Sequence, residues 1–126
     1  TVTPLAWVGF VVAGAIGAPV RYLLDGFVQD RTGGAYPWGT FAINVSGSFV
    51  LGVITGLALH HGLSPAARTI LGTGLCGAYT TFSTFSFETV RLVEEGDTGD
   101  AARNVVASLA VGLAAAALGL FLASLG

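Results

Sequence analysis

Residues 72–86 read Gly72-Thr-Gly-Leu-Cys-Gly-Ala-Tyr-Thr-Thr-Phe-Ser-Thr-Phe-Ser86. The stretch lies inside a hydrophobic segment, yet Gly72, Gly74 and Gly77 fall within six residues. Each glycine lowers helix stability by roughly 1 kcal/mol, so a comfortable continuous helix is not expected here. Thr80, Thr81, Ser83, Thr84 and Ser86 follow. Such hydroxyls compete for backbone hydrogen bonds and can resolve a local break. In lipid, irregular backbone survives only where protein buries it or it lines a wet cavity. A broken membrane helix frees carbonyls and amides that can bind ions. The stretch points to an ion site rather than to catalysis.

The surrounding composition supports a membrane setting. The chain has 126 residues, 10% of them charged, with a mean hydropathy of +0.79. That is far from the balance of a soluble domain, and the length accommodates four spans with short links. Five arginines, no lysine and a net charge of −2 offer no basic patch for nucleic acid. The lone Cys76 excludes an internal disulfide and a multi-cysteine metal site, and reads as a small apolar filler. No polar cleavage region follows the first hydrophobic segment, which is therefore expected to be a retained span.

Working outward, span 1 is expected over 4–24, with Pro4 suited to a helix start and Trp7 to the headgroup level. Gly9, Ala13 and Gly17 form a small-residue stripe that admits a neighbouring helix. Arg21, near the far end, either snorkels to the interface or attracts anions at a pore mouth. A polar link, 25–37, carries the turn signal Gly33-Gly34. Span 2, 38–59, places Thr40, Asn44 and Ser48 four residues apart on one face. Asn44 brings an amide into the membrane interior, for an interhelical hydrogen bond or for a pore. His60 and His61 are adjacent and share no helical face, so they make a poor metal pair. Ser64-Pro65 reads as an N-cap and first turn before span 3, 66–95. At about 1.5 Å per residue span 3 exceeds the bilayer core, and a break absorbs some of the excess. Span 4, 101–125, repeats Asn104, Ser108 and Gly112 at four-residue spacing. The fold class expected is an all-α membrane protein of four transmembrane helices with a break in the third.

The chemistry centres on Phe82 and Phe85, which share a face on a helix. Such pairs usually make plain core or lipid contacts. Here they alternate with Ser83 and Thr84 beside the break, and an aromatic ring has a positive edge. Rings presented edge-on stabilise a partly dehydrated anion without trapping it, and weak multiple sites are what conduction requires. Hydroxyls of Ser83, Thr84 and Ser108 and the Asn44 amide would replace part of a hydration shell. No nucleophile–base set, phosphate loop or metal-spaced cluster is visible, so no enzyme activity is expected. Only Glu88 could bring a carboxylate to any depth.

These residues resemble a known family, the CrcB/Fluc fluoride channels. Span 1 shows Gly14-Ala-Ile-Gly17-Ala18-Pro-Val-Arg21-Tyr22, similar to the family's glycine-rich run ending in Arg-Tyr. Ala13 stands where a glycine is common. Span 2 shows Trp38-Gly39-Thr40-Phe41-Ala-Ile-Asn44-Val-Ser-Gly47-Ser48-Phe49, close to the Gly-Thr…Asn…Gly signature. Span 3 shows Gly77-Ala-Tyr-Thr80-Thr81-Phe82-Ser83-Thr84-Phe85-Ser86, nearly the diagnostic string. The resemblance implies subunits paired antiparallel as a dual-topology homodimer, with two pores along the interface. Phe82 and Phe85 would form an aromatic box, Asn44 a pore-facing amide, and Ser83 and Thr84 a polar track. Backbone carbonyls of Gly77 and Thr80, from both subunits, would hold a central structural Na+. Ser108 matches a family pore hydroxyl, whereas Gly112 stands where another hydroxyl is expected and Asn104 where an aromatic is often found.

The expected function is passive, selective fluoride export across the inner membrane of a prokaryote, with lipid, fluoride and a second copy as partners. One rival is a small dual-topology multidrug exchanger, which needs a carboxylate in span 1, and that span has none before Asp25. Another is a non-transporting packing subunit, which leaves the Phe/hydroxyl run unexplained. With four spans, Arg68 is expected on the side of both termini and Arg21, Arg31, Arg91 and Arg103 on the other, a mild bias that would put both termini outside; antiparallel pairing instead expects nearly equal insertion both ways.

Overall fold

The computed structural model describes residues 3–125, which are helical and connected by short turns. Helix α1 spans Pro4–Thr32. Thr3 caps it by accepting the Ala6 N–H at 3.2 Å, replacing one of the donors a helix start leaves unpaired. The helix runs well past Leu24, where falling hydropathy suggested its end, so most of the expected polar link is helical. Nothing between Asp25 and Thr32 breaks the backbone; the stop comes at Gly33 and Gly34, with φ of +64° and +75°.

Helix α2 spans Trp38–His60 and has no side-chain cap of its own. Gln29 supplies one from α1: its Oε1 accepts the Gly39 N–H at 3.1 Å, and its Nε2 donates to the Tyr36 carbonyl at 3.0 Å. One amide thus fixes both the link and the entry into α2.

The third hydrophobic segment has several parts. A short α3, Pro65–Arg68, is capped by Ser64 and opens into a π-helical stretch over Thr69–Cys76. There the Gly77 N–H reaches back to the Gly72 carbonyl, the wider spacing that π turns use. A single turn, α4, covers Gly77–Tyr79. Thr80 is then extended, with φ −81° and ψ 160°, and helix resumes as α5 over Ser83–Glu94. Helix α6 spans Thr98–Ser124, starting earlier than Ala101.

Small residues set the packing. A Cβ on Gly52 would strike the Ala116 carbonyl, and one on Gly119 the Phe49 carbonyl, so α2 and α6 pack backbone to backbone. On the other flank, a Cβ on Gly17 would lie 2.6 Å from the Leu75 carbonyl oxygen, and one on Gly74 3.1 Å from that of Phe10. Glycine stripes therefore seat α1 on the π-helical stretch. Helices α1, α2 and α6 are each long and apolar enough to cross a membrane. The most apolar 18 residues of α6 are only 6% buried by the chain. An apolar helix left so open is covered by lipid or by another protein surface.

Candidate ion site at the interrupted third segment

The backbone between Tyr79 and Ser83 is held by side chains of α2. Asn44 Oδ1 accepts the Thr81 N–H at 2.8 Å, and Asn44 Nδ2 donates to the Thr81 carbonyl at 2.8 Å. Two bonds to one residue satisfy both polar groups of Thr81, which the interruption would otherwise leave orphaned. Ser46 Oγ lies 2.8 Å from Tyr79 Oη. Gly47 admits the Thr80 methyl, where any larger residue would collide with it. Positions 44, 46 and 47 thus grip 79–81. Thr81 Oγ1 in turn accepts the Thr84 N–H at 3.2 Å and caps the new helix.

Beside this clasp runs an open groove of about 670 Å³. Asn44, Ser48, Gly77, Thr80 and Phe82 are among the residues that line it, with Cys76 and Leu51. The Phe82 ring is 79% exposed and lies 6.0 Å, centroid to centroid, from the half-buried Phe85. A smaller pocket of about 160 Å³ brings Arg21 together with Thr84, Thr81, Thr40 and Asp25. Thr40 is 3% exposed, and its hydroxyl has no partner among the described residues.

The sequence-derived residues therefore fall into three groups. Asn44, Gly77, Thr80 and Phe82 share the groove, with the Phe85 ring tilted at 42° to that of Phe82. Arg21 and Thr84 share the smaller pocket, and Ser83 lies exposed beside Thr81, its Oγ 3.5 Å from Thr81 Oγ1. Ser108 stands apart on α6, its hydroxyl 3.5 Å from Asn104 Oδ1. Asn104 is 1% exposed and donates to Thr89 Oγ1 at 2.9 Å, and Thr89 Oγ1 donates to the Phe85 carbonyl at 2.8 Å. A relay of bonds thus joins α6 to the turn that carries Phe85. Sequence reading named Thr81 only as part of the hydroxyl run and missed Thr89, Ser46 and Tyr79. The only signal was the hydroxyl run itself, since each of these groups finds its partner through tertiary packing.

The chain matches the family described as "CrcB-like protein, Camphor Resistance (CrcB)" over residues 8–120. It is 55% identical, over 90% of its length and 92% of the relative's, to a Streptomyces avermitilis protein named "Fluoride-specific ion channel FluC 1". A Leifsonia xyli protein of the same name is 50% identical over 98% of this chain and 90% of its own. A further relative so named, from Symbiobacterium thermophilum, is 45% identical over 94% of this chain and 97% of its own. The signatures that bracket the clasped interruption and the groove lie inside the matched region, and the chain belongs to the CrcB-like family.

Proposed function

We propose that the protein is a fluoride-specific ion channel that lets the anion leave the cell passively through the inner membrane. The observation that carries this reading is the groove: an open cleft between α2 and the third segment, with the exposed Phe82, the Asn44 amide and the hydroxyls of Ser48 and Thr80 among its lining. Aromatic edges and neutral donors stabilise a small anion weakly enough for it to move on. The names of the relatives favour fluoride as that anion. Fluoride enters cells as neutral HF and ionises in the more alkaline interior, so an anion channel suffices to remove it.

The open side of the groove is best completed by a second copy, inserted antiparallel, giving two pores on one dual-topology homodimer. Phe82 and Phe85 form the aromatic box. Asn44, Ser83, Thr84 and Ser108 supply polar contacts, and Arg21 draws anions to the mouth. The Gly77 and Thr80 carbonyls fit a structural Na+ between the copies: both residues line the groove, and neither carbonyl accepts a hydrogen bond among the described residues. Such an ion supplies fixed positive charge and a link between subunits; the chain's own residues carry the anion path.

Fluoride efflux from liposomes, with chloride as control, tests the reading. Rapid fluoride release with chloride retained is the expected outcome. Release of both anions, or of neither, would remove the fluoride assignment.

A further inference from the structure

In an unbroken helix the carbonyls of Gly77 and Thr80 would accept from the N–H groups of Thr81 and Thr84, four residues on. Both donors are engaged elsewhere. Thr81 N–H goes to Asn44 Oδ1 at 2.8 Å, and Thr84 N–H goes to Thr81 Oγ1 at 3.2 Å. The interruption also parts Ala78 and Tyr79 from their helical donors, but these two do not line the groove, whereas Gly77 and Thr80 do. Ala78 instead packs toward Gly14 and Gly17 of α1, and Tyr79 is bonded to Ser46.

We propose that Asn44 and Thr81 are positioning residues that keep the carbonyls of the groove-lining residues Gly77 and Thr80 free as hard oxygen donors for a monovalent cation, by diverting the two N–H groups that would otherwise claim them. This rests on the cation reading given above. The exchange is nearly balanced: each N–H trades a carbonyl for a side-chain oxygen, so no buried donor is left unsatisfied. The second bond of the Asn44 amide, to the Thr81 carbonyl, locks that residue in the diverting orientation. The role separates two functions of one side chain. An oxygen at position 44 is what the cation site needs; a neutral amide is what an anion path needs.

The test is thermal unfolding of the detergent-solubilised protein, titrating sodium chloride against choline chloride at constant ionic strength. Sodium should raise the unfolding temperature of the wild type in a saturable way. Thr81→Val and Asn44→Leu should raise the half-saturating sodium concentration by about tenfold, the scale of one backbone bond re-formed against the cation. Thr81→Ser, which restores the hydroxyl, should return it to the wild-type value. A merely structural role would lower stability equally in sodium and choline and leave half-saturation unchanged, which overturns the proposal. Should Asn44→Leu not fold, Thr81→Val decides alone. A wild type that ignores sodium removes the cation reading, and the positioning roles with it; a wild-type response that both variants share removes the positioning roles only.

Discussion

Asn44 uses both ends of its amide on the backbone of Thr81 while still bordering the groove. The four-residue spacing of Asn44 and Ser48 made their common face on the groove legible; the partner of Asn44 was not. Residues 44 and 81 are 37 apart in sequence, and only the register of α2 against the third segment brings them together. The expectation of a pore-facing amide and that of an interhelical bond are therefore compatible: one side chain holds the wall it belongs to. On the proposed path, a negative charge here would repel a passing anion. Asn44→Asp should lower fluoride efflux roughly hundredfold, what about 3 kcal/mol of like-charge repulsion supplies. Flux measurements on reconstituted protein check this, and an unaltered rate would place residue 44 away from the path.

Among the elements, the third segment departs furthest from regularity. Glycine spacing warned of trouble at 72–77, yet residues 72–76 wind as part of a π-helical stretch, Gly77 opens the next turn, and the extended residue falls later, at Thr80. Glycine lowers the cost of unusual winding, but the side chains that catch the backbone decide where helix ends. Helix α5 then needs anchoring, and the Asn104–Thr89–Phe85 relay provides it. Asn104 looked anomalous in sequence, standing where an aromatic is often found; burial and a 2.9 Å bond account for it here. Asn104→Ala and Thr89→Val should each cost about 1–2 kcal/mol of stability, and the double variant little more than either. Thermal unfolding of all three in detergent measures the coupling; simple additivity would show that the bond carries none. The end of α1 was misjudged for a physical reason. Hydropathy falls at Asp25, but helix continues on the strength of backbone bonds until two glycines turn it.

Across the whole molecule, charge is sorted along the long axis. All seven carboxylates and Arg31, Arg91 and Arg103 lie toward the end where α1 and α5 finish, while Arg68, His60 and His61 mark the other. Aromatic clusters stand at both ends: Trp7 with Phe10, and Tyr36, Trp38 and Phe41 with Arg103 4.3 Å above Tyr36. Such belts suit two headgroup levels. A chain inserted both ways would present the same mixture of ends on each face. A cysteine at the exposed position 61 (His61→Cys) reports this, because native Cys76 is only 4% exposed. About half the molecules in intact cells should react with an impermeant maleimide if insertion is equal; labelling of all or none would establish a single orientation.

The central claim is that the cleft beside the clasped interruption, with Phe82 on its wall and Phe85 against Phe82, is the route of the anion. Fluoride efflux from liposomes carrying Phe82→Ile or Phe85→Ile measures it most directly, with assembly of each variant checked by gel filtration. Both substitutions keep apolar bulk and remove the ring edge, so each should abolish efflux while the assembled protein persists. Wild-type rates in both variants would contradict the account.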